Sequence, residues 1–148
     1  MKRIGTAKEA AQIDGVLIGK HVPDGWKWLG SGAYRNAYLS PTGVVYKVCR
    51  DSDSHNNDKE WRTYRKATSM KAEGFRIAAC RVFASGVLAM EYVKDDGSDV
   101  DDSFEAMRKF MRKNFDYLDC SRDKRGENWH AVDGVAVITD YAYGYDES

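Results

Sequence analysis

Asp123 and Asn128 lie five residues apart in the stretch SRDKRGENW, and Asp140 closes the apolar run Val135-Ala136-Val137-Ile138-Thr139 a dozen residues later. An aspartate pair with an asparagine offers hard oxygen ligands with no thiol or histidine among them, which suits magnesium rather than zinc. Phosphoryl transfer needs such ligands, a backbone cover over the phosphates, a lysine to hold them, an acid to orient that lysine, and a base near the acceptor. Candidates for the remaining parts stand upstream in workable order. Gly30-Ser31-Gly32 separates two strand-like runs, where absent side chains let amides approach a phosphate. Lys47 follows Val44-Val45-Tyr46, a run that should be buried on at least one face, and Glu60 sits on the helix after it. Plainer readings stand beside these: a hairpin turn for the glycines, a snorkelling surface lysine, and an exposed helix glutamate with Asp58 or Glu73 as competitors.

Composition narrows the field. With 148 residues, 43% hydrophobic and 12% aromatic, the chain can build one compact core. Lys plus Arg equals Asp plus Glu at 23 each, so no overall field draws it to nucleic acid or an anionic membrane. Cys49, Cys80 and Cys120 are odd in number and widely spaced, which signals neither a disulfide framework nor a zinc site. They read as buried or inert thiols of a reducing cytoplasm. The basic start, Met1 to Lys8, lacks an apolar segment behind it and no long apolar run follows, so a soluble, unexported protein is expected. His21, His55 and His130 have no spacing partners and receive no role.

The elements that must position these groups follow from periodicity. Thr6 caps a short helix to Ile13, stopped by Gly15. Trp26 to Leu29, Ala33 to Leu39 and Val44 to Val48 are aromatic and β-branched runs parted by turn residues, and read as a three-stranded antiparallel meander. Asp51 to Asn57 caps a helix to about Lys71 with Trp61, Tyr64 and Thr68 at helical spacing. Arg76 to Ala84 and Val87 to Val93 read as two further strands. The acidic stretch Lys94 to Asp102 reads as a solvated linker, with ribose or substrate contacts as the alternative. Asp102 and Glu105 then open a helix with the stripe Phe104, Met107, Met111, Phe115 and Leu118, whose other side carries Arg108, Lys109, Arg112 and Lys113. Trp129 to Val132 and Val135 to Ile138 turn at Asp133-Gly134 as a last hairpin.

Taken together, LGSGAYRNAY, GVVYKV, AMEYV, SRDKRGENW and ITDYA resemble, in order, the glycine loop, lysine strand, hinge, catalytic loop and DFG element of a eukaryotic-type protein kinase. The match runs from Trp26 to Ala142, and the abbreviated form is similar to small kinase-like proteins of bacteriophages. The resemblance implies an α+β fold with a five-stranded antiparallel N-lobe sheet and one long helix (residues 1–93), a hinge or linker (94–102), and a truncated C-lobe of one helix, catalytic loop and short hairpin (103–148). It implies ATP and magnesium as cofactors. Gly30, Ser31 and Gly32 would cover the phosphates, Lys47 would contact them and Glu60 would anchor Lys47. Met90 would be the gatekeeper, and Glu91 and Val93 would offer hinge backbone groups to adenine. Asp123 would be the base, Arg125 would replace the catalytic-loop lysine, and Asn128 and Asp140 would hold magnesium.

Arg35 replaces the third loop glycine, where it would stiffen the cover or bring its charge to the phosphates. Ser121 replaces the histidine that braces the magnesium aspartate, and Ala142 the glycine of DFG. After Asp140-Tyr141-Ala142 there is room for six residues, so the activation segment and peptide platform are expected to be missing. Two function classes follow. One is a minimal kinase transferring the γ-phosphoryl of ATP to a protein Ser, Thr or Tyr hydroxyl, phage-encoded and acting on a host protein. The other is a pseudokinase-like module that binds and modulates a host protein. Adenylate transfer uses similar parts and stays open.

Overall fold

A computed structural model of the chain describes residues 3–14, 16, 22–31, 34–50, 55–115 and 121–142. Two compact units divide it: residues 1–61 with 79–92, and residues 62–78 with 93–148.

Antiparallel strands dominate the first unit. Its strands are β1 (Lys27–Ser31), β2 (Arg35–Leu39), β3 (Val44–Cys49), β5 (Cys80–Val82) and β6 (Leu88–Glu91), in spatial order β1-β2-β3-β6-β5. This is the five-stranded antiparallel sheet expected from the sequence, and with its helices the chain is α+β. Because side chains alternate across a strand, the register sorts them onto two faces. Ala37 opposite Lys47 and Val45 opposite Met90 place Arg35, Lys47 and Met90 on one face. Tyr38 opposite Tyr46, and Tyr46 opposite Ala89, lie on the other.

Helix α1 (Ala7–Ile13) covers that second face. Thr6 caps it as the sequence suggests, its Oγ1 accepting from the Glu9 amide at 3.2 Å. Ala10 and Ile13 join Trp26, Tyr38, Tyr46, Val48, Val87 and Ala89 in one buried cluster. Glu9 is buried beside them: its carboxylate accepts from Tyr46 Oη at 2.8 Å and from Thr42 Oγ1 at 2.9 Å. Burial pushes the Tyr46 phenol up to about 12, so it stays a proton donor. Gly5, at φ +73, permits this approach, since a Cβ there would lie 2.6 Å from Tyr46 Oη.

Helix α2 (Asn56–Ser69) buries Asn57, Glu60, Thr63 and Ala67, a stripe one position away from the expected Trp61, Tyr64 and Thr68. Polar anchoring explains the rotation, because Asn57 and Glu60 hydrogen-bond into the sheet.

A second sheet, order β4-β8-β7, belongs to the second unit: β4 (Arg76–Ile77), β7 (Trp129–Val132) and β8 (Val135–Ile138). The reading of residues 76–84 as one strand is thereby corrected. Arg76 and Ile77 pair in parallel with Val137 and Ile138, and the strand resumes in the other sheet at Cys80. The β7–β8 hairpin turns at Asp133 (φ 53) and Gly134 (φ 79), the two positive values a tight two-residue turn requires. Helix α3 (Asp101–Phe115) buries Phe104, Met107, Met111 and Phe115, with Phe104 against Trp129 at 4.9 Å between ring centroids. Ser103 ties its start to the sheet, donating to the Gly74 carbonyl at 2.6 Å and accepting from the Ala136 amide at 2.7 Å.

Lys94 to Val100 carries no helix or strand, yet it is not simply solvated. Asp95 accepts from the amides of Gly97 and Ala131, and Asp96 from those of Ser98 and Asp133. Backbone donors engage both carboxylates, and Asp95 also takes the Arg125 guanidinium, which fixes the loop beside β7. Among the described residues, no helix is long and apolar enough to cross a membrane. Gly15, Gly32, Leu118, Cys120, His21 and the six residues after Ala142 lie outside the described residues, as do positions 51–54 of the expected cap.

Candidate functional site

The chemistry of the first unit centres on one carboxylate. Glu60 is fully buried and accepts from Lys47 Nζ at 2.6 Å. Arg35 approaches the same carboxylate as a fork, Nη1 to Oε1 at 3.0 Å and Nη2 to Oε2 at 3.3 Å. Burial alone pushes the carboxyl up; the charges of Arg35 and then Lys47 outweigh it and hold Glu60 at about 2, ionised at neutral pH. Asn57 braces the group from one turn earlier. Its Oδ1 accepts from Arg35 at 3.1 Å, and its Nδ2 donates to the carbonyls of Lys47 at 2.9 Å and Gly86 at 2.8 Å.

The expected partners Lys47 and Glu60 therefore meet, whereas Arg35 is drawn into the same cluster. Neither sequence reading of Arg35, as a stiffener of the cover or as a charge brought to the phosphates, includes this contact with Glu60. The missed signal was parity: Arg35 and Lys47 share a face once the short Ser40–Gly43 connection fixes the β2–β3 register.

Around the glycine hairpin, β1 bulges between Trp28 and Gly30, and Gly30 adopts φ +152 with no atom within 4 Å of a Cβ placed there. Ser31 turns its hydroxyl to Asn36 Oδ1 at 2.6 Å, on the α1 side of the sheet and away from the face that carries Lys47. Met90 is buried in β6, flanked in register by Val45 and Cys80. Glu91 ends that strand, its side chain accepting from the Ala79 amide at 2.8 Å. Val93, two residues on and in the second unit, is buried.

In the second unit, Asp123 lies exposed on a 3-10 turn, Arg122–Lys124. Ser121 Oγ donates to Asp123 Oδ1 at 2.5 Å and holds the carboxyl below its usual range. Its carbonyl accepts from Trp129 Nε1 at 2.9 Å, so Ser121 links Asp123 to β7. Arg125 is engaged by a carboxylate. Its Nε meets Asp95 Oδ2 at 2.8 Å, its Nη2 meets Asp95 Oδ1 at 2.9 Å and the Ser98 carbonyl at 3.0 Å, and the guanidinium lies over the Trp129 ring.

Asn128 and Asp140 are brought together by backbone: the Asn128 carbonyl accepts from the amides of Thr139 at 2.9 Å and Asp140 at 3.1 Å. Asparagine and aspartate carry the hard-oxygen donors that magnesium takes, alongside phosphate oxygens and water. Among the described residues, no group of three or more His, Cys, Asp or Glu could hold a metal ion by itself.

No protein-family model matches the chain, and no curated protein does. Solved structures of aminoglycoside phosphotransferases, which have a protein-kinase-like fold, are similar to it. They include the streptomycin-ATP-APH(2″)-IIa ternary complex (17% identity, TM-score 0.44, covering 70% of this chain and 40% of that one). Two others are the gentamicin-APH(2″)-IIa complex (16%, 0.45, covering 86% and 45%) and ADP-bound APH(2″)-Ib (19%, 0.41, covering 61% and 30%). The chain spans less than half the length of each.

Proposed function

We propose that the protein is an ATP-dependent phosphotransferase of protein-kinase type. The observation that supports this most directly is the buried Lys47–Glu60 pair at 2.6 Å, on β3 and the following helix and on the same sheet face as Met90. In this reading the Gly30–Ser31 backbone covers the phosphates and Lys47 holds them. Met90, Glu91 and Val93 receive the adenine. Asn128 and Asp140 hold magnesium, which when bound neutralises phosphate charge. Asp123, ionised, accepts the proton of the acceptor hydroxyl as its oxygen bonds to the γ-phosphorus and the bond to the β–γ bridging oxygen breaks, releasing ADP. Arg125, held by Asp95, orients the loop carrying Asp123. The proposed acceptor is a protein Ser, Thr or Tyr hydroxyl and the proposed setting a phage-infected host cytoplasm, both on the sequence resemblance.

A second reading, a module that binds a host protein without transfer, is favoured by exposed aromatic and aliphatic side chains on the β1–β2 hairpin, Trp28, Leu29 and Tyr34. The test is label transfer from γ-labelled ATP with magnesium, into the protein itself and into a bacterial lysate, beside Asp123→Asn. Label that needs Asp123 supports transfer and marks the acceptor. Absence of label in both sinks transfer and leaves the binding module.

A further inference from the structure

We infer that Arg35 is a positioning residue that keeps Glu60 paired and in place when Lys47 turns from it to a phosphate. The inference rests on the phosphate role proposed for Lys47.

A buried carboxylate that loses its cation is left uncompensated in a medium that solvates it poorly, a large penalty. If Lys47 were the sole partner of Glu60, each step of Lys47 toward a phosphate would incur part of that penalty. Here Arg35 reaches both carboxylate oxygens from the neighbouring strand. A planar fork is suited to this and a lysine is not, because two parallel N–H donors match two carboxylate oxygens. The guanidinium is also oriented without help from the Lys47 side chain. Asn57 Oδ1 takes one of its donors, and the Asn57 amide is itself tied to two backbone carbonyls. Among the described residues, the charged groups that meet Glu60 include Arg35 from β2 and Lys47 from β3, with uncharged Asn57 on its own helix.

The arrangement separates two tasks that a lone lysine–glutamate pair must combine. Arg35 anchors the start of α2 to the sheet, and Lys47 becomes a shared cation whose ammonium can be divided between Glu60 and an incoming phosphate.

Two measurements test this. The first needs no nucleotide: carbon-13 carboxyl titration of Glu60 in Lys47→Met, Arg35→Met and the double variant. Glu60 should remain ionised at neutral pH in Lys47→Met, held by Arg35, and should take up a proton near neutral pH in the double variant. A Glu60 that is protonated at neutral pH in Lys47→Met overturns the inference. The second is calorimetry of Mg-ATP binding in buffers of different ionisation enthalpy. Wild type should bind without proton uptake. Arg35→Met should bind roughly tenfold or more weakly and take up a proton with the nucleotide, because the buried carboxylate then neutralises itself as Lys47 leaves. Arg35→Lys, which retains the charge without the fork, should restore part of the affinity and suppress the uptake. A structural role alone would weaken binding without proton uptake, and that result also overturns the inference. Absence of Mg-ATP binding by folded wild type overturns the proposed function instead, and the Glu60 titration tells the two failures apart.

Discussion

Among the described residues, each unit has an arginine that meets both oxygens of a carboxylate, and these two forks live in different solvents. In the first unit Glu60 is fully buried and the Arg35 side chain is 10% exposed. In the second the Arg125 and Asp95 side chains are 33% and 24% exposed. Water reaches the second pair and screens it, while the first must find all its compensation in protein atoms. The buried fork therefore makes folding depend on charge pairing, and the exposed fork mainly gives a loop its shape.

Removing one member of the buried cluster should have the largest effect. Glu60→Gln leaves Arg35 and Lys47 without their counter-charge and should cost about 3 kcal/mol or more in urea unfolding. A loss well below that would erase the contrast. Acid should act on the same group. The pairing holds folded Glu60 at about 2, below the ordinary 4.5 of a free glutamate, so the unfolded chain binds the proton first as pH falls. Its contribution is complete above about pH 4.5 and is lost as pH drops through 2. Melting followed over that range should show an acid limb that Glu60→Gln flattens; an unchanged limb would assign it to other carboxylates.

The exposed fork should respond more weakly. A double-mutant cycle on Arg125→Ala and Asp95→Asn should give a coupling of about 1 kcal/mol that shrinks in high salt. Persistence of the full coupling in salt would mean that the pair is better shielded than its exposure indicates. Smallest of all should be Ser121→Ala, which leaves the melting temperature nearly unmoved but raises the Asp123 carboxyl toward its ordinary range. Carboxyl titration by NMR reads this, and an unmoved Asp123 would remove Ser121 from the assignment.

How much of this the sequence disclosed depends on the range of the interaction. The β1–β3 meander, the α3 stripe and the β7–β8 hairpin were legible because period, turn chemistry and partner lie close together in the chain. The break at Ala78-Ala79 was not: neither residue is a turn former, and β4 departs because of a parallel partner, Val137-Ile138, far along the sequence. Site residues divide in the same way. Lys47 with Glu60 and Asn128 beside Asp140 could be nominated by type and order. Arg35 could not, because its role depends on strand parity and on a helix rotated to present Asn57 and Glu60. Asp95 was hidden by its composition, since an acidic run looks solvated until its amide donors are known.

The parallel pairing of β4 with β8 also bears on the order in which the molecule assembles. The three strands of the β1–β3 meander join by short turns, so they can form while the chain is still emerging. Ile77 has to wait for Ile138, and the ring of Tyr141, whose hydroxyl donates to the Ala78 carbonyl at 2.7 Å, arrives after that. Long-range parallel contacts are slow to close. We therefore expect pulse-labelled hydrogen exchange to protect the amides of β3 before that of Ala78, and simultaneous protection would argue against this order. Asn128 and Asp140 lie beyond the meander and α2 in the chain, so a nascent chain would have its Lys47–Glu60 pair before the Asn128 carbonyl meets the Asp140 amide.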